Sequence, residues 1–153
     1  MLISSELSEI VKVVDVIGPI NSADAADSYA SAWIDVGLYD RLMYVVSVGE
    51  VNATLTAALY ENTDANLDDS PDTAGQAITG KTVNFADTVA DKQKIINVSG
   101  SDFDAADSYR RVRMQVTNVD SPPGVLGFHV LVLGVPKYIE KAGHVATVTE
   151  VVY

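Results

Sequence analysis

Cysteine is absent from this 153-residue chain. That excludes a disulfide framework, a cysteine nucleophile and any thiolate metal site. Basic residues are scarce: 10 Lys and Arg stand against 21 Asp and Glu, a formal net charge of -11. So acidic a surface repels nucleic acid and anionic lipid, and direct binding to either is not expected. Histidine occurs only at His129 and His144, neither with a second histidine or spaced carboxylate to make a metal site. No apolar run approaches the ~20 residues of a membrane-spanning helix. The first ten residues lack a basic segment and carry Glu6 and Glu9, so they do not read as a secretory signal, and synthesis in the cytoplasm is expected.

What is present is strand. Hydrophobic residues make up 48% of the chain, too many for a disordered one. Arg41–Gly49 is an apolar run of strand length closed by glycine. Asn52–Tyr60 alternates, with Leu55, Ala57 and Leu59 on one face. Tyr109–Thr117 places Val112, Met114 and Val116 inward and Arg111, Arg113, Gln115 and Thr117 outward. Val125–Leu133 is β-branched and aromatic, and Gly134 and Pro136 close it. Shorter candidates are Tyr29–Val36, Thr82–Phe85 and Lys94–Val98. Helix is confined to a turn or two at Asp87–Gln93. The expected fold class is all-β: a single domain over residues 1–153, an antiparallel β-sandwich or jelly roll of about eight to ten strands. Residues 1–20 and 139–153 are read as extended segments able to act as inter-subunit arms. Within them, Glu9–Ile17 and His144–Val152 are rich in valine, suited to pairing with their own sheet or a neighbouring subunit.

Two patterns invite a stronger reading. Asp24-Ala-Ala-Asp-Ser-Tyr29 recurs letter for letter as Asp104–Tyr109, each copy leading into a strand. Either the two β halves are related, or the coincidence is one of a common acidic approach to a strand. Gly75, Gly80, Lys81 and Thr82 satisfy the spacing of a phosphate-binding loop. A nucleotide site needs a strand before that loop and a helix after it. Here acidic Asp68, Asp69 and Asp72 precede it and strand-forming Val83 and Phe85 follow, so the spacing is read as fortuitous. Asp64, Asn66 and Asp68 begin like a calcium loop, but Asp69 and Gly75 stand where its Gly and Glu belong.

No serine lies in a nucleophile-elbow setting, and the carboxylates crowd loops of an acidic chain. The expectation is therefore a protein that is not an enzyme, with no catalytic residue, no cofactor and no metal. Arg110, Arg111 and Arg113 form the only basic cluster, suited to docking an acidic partner or to pairing with the chain's own carboxylates.

Together these segments resemble the small β-sandwich decoration, or cement, proteins of tailed-bacteriophage heads. The resemblance runs over Tyr29–Tyr138. It rests on Trp33–Gly37, Tyr39–Leu42, Val45–Gly49, Leu55–Glu61, Gln93–Val98, Tyr109–Arg113 and Val130–Tyr138. It implies a jelly-roll-like homotrimer on the outer surface of a virion head, bound to the major capsid protein and to itself. It implies no catalytic residue. On that reading Val11, Val13, Val145, Val148, Val151 and Tyr153 are the expected interface positions, and Arg110, Arg111 and Arg113 the electrostatic ones. A sugar- or receptor-binding module and a tail or connector subunit are the alternatives.

Overall fold

A computed structural model describes residues 10–22, 28–51, 54–63, 75–86, 89–102, 109–118 and 126–137. The strands are β1 (Lys12–Ser22), β2 (Ser28–Ala30), β3 (Ile34–Asp35), β4 (Tyr39–Val51), β5 (Leu55–Thr63), β6 (Gln76–Phe85), β7 (Val89–Ser99), β8 (Tyr109–Asn118) and β9 (Leu126–Pro136). Only two short 3-10 turns, Val36–Leu38 and Gly100–Asp102, interrupt them among the described residues.

The strands form two antiparallel sheets. The first has the order β1-β9-β4-β7, and the second β2-β8-β5-β6 with β3 also on β8. The pairing is nested. The first strand pairs the last, β2 and β3 share β8, β4 pairs β7, and β5 pairs β6. That nesting, with successive pairs alternating between sheets, is a jelly roll. The fold is thus the all-β antiparallel sandwich that the alternation predicts.

One core lies between the sheets. Tyr44, Val46, Val130 and Val132 from the first meet Leu55, Leu59, Val112, Met114 and Val116 from the second, all fully buried. Each such side chain contributes about 1.5–3 kcal/mol on leaving water. Tyr29 of β2 meets Phe128 of β9 edge-on across the sandwich, ring centres 5.4 Å apart. A side-chain hydrogen bond adds a second tie: Asp15 of β1 accepts from the backbone N–H of Ala32 at 2.8 Å.

Several expectations change here. The stretch read as helix around Asp87–Gln93 enters β7, because its residues from Val89 onward pair with β4. Residues Lys12–Ser22 join their own sheet along β9. Gly18, at φ +85, sits where the β1 register shifts between Ile17 and Ile20, a conformation open to glycine. The stretch Tyr29–Val36 is two strands, because Ser31 interrupts it. Its Oγ accepts the N–H of Met114 at 2.9 Å while its own N–H donates to the Met114 carbonyl at 2.9 Å. The duplicated hexapeptide leads into β2 and β8, which pair antiparallel in the second sheet.

Candidate interaction surface

In an antiparallel sandwich each sheet turns one face to the core and one outward, so the outer face of an isolated domain reads polar. The second sheet follows that rule. Thr56, Tyr60, Thr82, Asn84, Gln115 and Thr117 alternate with its core residues and face outward.

The first sheet breaks it. On β4 the core residues are Leu42, Tyr44, Val46 and Val48, so Met43 and Val45 face out. Met43 lies opposite Leu133 of β9, which lies opposite Val13 of β1. Val45 lies between Ile95 of β7 and Leu131 of β9, and Leu131 opposite Val16 of β1. Two rows running across all four strands are therefore almost wholly apolar, with Asn97 beside Met43 the polar member. Most of these side chains are partly exposed, and Ile95 is 55% exposed. Arg41 is exposed at one end of this face. At the other end Ser47 and His129 are direct cross-strand partners beside an open recess of about 620 Å³, lined also by Pro19, Ile20, Asp91 and Phe128. Ser47 is buried, and its hydroxyl has no hydrogen-bond partner among the described residues.

The expected interface residues are scattered over the fold. Val11 is partly exposed just before β1, and Val13 lies on the apolar face beside Leu133. Arg110 is within β8, and Val145, Val148, Val151 and Tyr153 lie outside the described residues. Arg111 is partly exposed and stands opposite Asp35 of β3.

Arg113 corrects the expectation. It does not project from the outer face of the second sheet as a docking charge. It is 4% exposed, with its guanidinium carbon 4.5 Å from the ring centre of Trp33. The break between β2 and β3 brings Trp33 over β8, and the ring covers the arginine. Burial pulls the Arg113 pKa below the usual guanidinium value, against an opposing effect of Tyr60. Nothing near either residue in sequence signals this contact.

The phosphate-loop spacing holds no such loop. From Gln76 it is the strand β6, with no helix after it, and Lys81 is engaged elsewhere. Its Nζ donates to the Asn97 carbonyl at 2.7 Å and lies 2.9 Å from the Asp102 carboxylate. No group of three or more His, Asp or Glu side chains among the described residues is placed to hold a metal ion. The calcium-like segment Asp64–Asp68 lies outside them. No helix among them is long and apolar enough to cross a membrane. No protein-family model and no curated protein matches this sequence. What the described surface offers chemically is adhesion: an apolar sheet face with a cation at one end and polar groups at the other.

Proposed function

We propose that this chain is a structural virion protein, a jelly-roll module that decorates and stabilises an icosahedral phage capsid by binding the major capsid protein and itself. One observation carries the reading: two rows of the first sheet's outward face are almost wholly apolar, while the outward face of the second is mostly polar, with Trp33 over β8. A sheet apolar on both faces is suited to being covered on both. A shell under outward pressure from packed DNA is strengthened by any rigid module that buries surface across its subunits, and such a module needs no reactive group. Interfaces of this kind bury on the order of 1,600 Å² in total. A sugar-binding module draws less support, because Trp33 is capped by Arg113 and Tyr44 is buried in the core.

The test uses the full chain and empty shells of the major capsid protein from the same virus. Saturable cosedimentation at a fixed ratio, with a higher shell-disruption temperature, is the expected result. Shells that neither retain the protein nor gain heat resistance overturn the reading.

A further inference from the structure

We infer that the recess beside Ser47 and His129 is a binding site for a neutral sugar ring, seated on the bare backbone at Gly49 and Gly127. The inference goes beyond the capsid reading and does not depend on it. The recess lies past the two apolar rows, toward the Val51 end of β4.

Gly49 is the first sign. It is exposed within β4, on the outward face, since Val48 before it is buried in the core. Glycine inside a strand weakens it, because it loses the most freedom on folding and packs nothing. Nothing local requires it here. Its φ lies outside the left-handed region, and a Cβ would meet only the Gly127 carbonyl oxygen, at an ordinary 3.7 Å. A glycine where alanine fits marks a place that a ligand approaches closely. Opposite it on β7 stands Asp91, between the Val48–Lys92 and Glu50–Ala90 pairs. Among the described residues Asp91 is the one non-glycine in the left-handed region, at φ 51, and such backbone gathers at ligand sites.

Ser47 is the second. It is 6% exposed, lines the recess, and its hydroxyl has no hydrogen-bond partner, a costly state for a buried polar group. Its cross-strand partners Gln93 and His129 also line the recess and are exposed. Neither side chain is held by a hydrogen bond to another described residue, so either can turn aside and open Ser47 to a ligand. The chemistry selects the class. Asp91 and Lys92 are adjacent and cancel in charge, so neither an anion nor a cation is favoured. An apolar ligand would leave the Ser47 hydroxyl unsatisfied. A carboxylate that accepts, with a hydroxyl, an amide and an imidazole that both donate and accept, matches a ring of neighbouring hydroxyls, each donor and acceptor. Pro19 and Ile20 supply an apolar side for the C–H face of that ring. The 620 Å³ volume is within the roughly 300–1,000 Å³ of small-molecule sites. A ring seated on backbone needs no aromatic platform, so the capping of Trp33 does not bear on it. At ordinary ligand efficiency a ring of about a dozen heavy atoms binds with millimolar strength.

Amide NMR of the full chain tests this. Methyl glycosides of glucose, galactose, mannose and N-acetylglucosamine are titrated from about 1 mM to about 100 mM. At least one should shift the amides of Ser47, Gly49, Gln93 and His129 saturably. Gly49→Val, which fills the floor, and Ser47→Ala, which removes the hydroxyl, should each weaken that glycoside about tenfold or more. Circular dichroism confirms that each variant is folded. Gly49→Val places a strand-favouring side chain in open space and should melt no lower than the wild type. If it does not fold, Ser47→Ala carries the test. No saturable shift with any of these glycosides overturns the inference. So do shifts clustered elsewhere, folded variants of unchanged affinity, or a response at these amides to cytosine or inorganic phosphate in place of the glycosides. Shell binding is scored separately on particles, so failure here leaves the capsid reading standing, and failure there leaves this one.

Discussion

The guanidinium of Arg113 stacks on the indole of Trp33, 4.5 Å from carbon to ring centre, on the side of β8 that faces away from the core. Trp33 stands in the break between β2 and β3, which exists because Ser31 takes over the hydrogen bonds of Met114. A backbone interruption thus converts an outward charge into a packed one. Replacing Arg113 with lysine keeps the charge but removes the guanidinium from over the ring, and should cost about 0.5–2 kcal/mol. Urea unfolding midpoints measure this. A variant as stable as the wild type would show that the stack contributes nothing.

Gly75 lies beneath the same indole. A Cβ there would clash with the Glu61 carbonyl oxygen and sit 2.7 Å from Cη2 of Trp33. The first contact is with backbone of the neighbouring strand, which cannot swing aside. Gly75→Ala should therefore destabilise by roughly 1–3 kcal/mol. Thermal unfolding of the variant reports it.

Tyr44 is fully buried, and its hydroxyl has no hydrogen-bond partner among the described residues. Removing that hydroxyl exposes no partner group, so Tyr44→Phe should lie within about 1 kcal/mol of the wild type or above it. Tyr44→Ala, by contrast, should lose about 3–5 kcal/mol. Burial, with a smaller contribution from Asp15, pushes the Tyr44 pKa well above 10.0. The unfolded tyrosine ionises near pH 10 and the folded one does not. Stability from this group is thus complete below pH 10 and falls as pH rises beyond it, by up to ~1.4 kcal/mol per pH unit. Denaturant titrations between pH 9 and pH 11 should show a shallower fall for Tyr44→Phe.

Burial alone would raise the Asp102 pKa, but hydrogen bonds from Lys81 and from the backbone and hydroxyl of Ser99, with the Lys81 charge, bring it below 3.8. Its contribution is present above the unfolded carboxylate range and lost as pH falls through the folded value. Lys81→Met should move the Asp102 titration upward when followed by carboxyl NMR. The pair is partly solvated, so the cost at neutral pH should be under ~1 kcal/mol. Magnesium ATP should leave the melting temperature of the wild type unchanged, because Lys81 is engaged by Asn97 and Asp102 on a strand.

Much of this architecture is legible in local pattern. Leu42, Tyr44, Val46 and Val48 alternate with Met43, Val45 and Ser47, and the strand they mark is β4. The valines of β1 mark a strand equally well, but not whether its partner belongs to the same chain. β9 being its partner follows from the nested order of the whole chain. The segment entering β7 reads as a helical turn because Asp91, Lys92, Gln93 and Lys94 carry no apolar alternation, and β7 lies at the edge of its sheet, where few side chains need burial.

By itself the sequence determined that this is a strand-built, cysteine-free, acidic domain, and which residues share a face of each strand, because a side-chain period of two is a local property. Only the tertiary structure decided what lies over each face. Trp33 buries Arg113 on one sheet, while Val13, Val16, Met43, Val45, Leu131 and Leu133 gather into a single outward surface on the other. Those residues come from three strands far apart along the chain, and only the order in which the strands pair makes them neighbours.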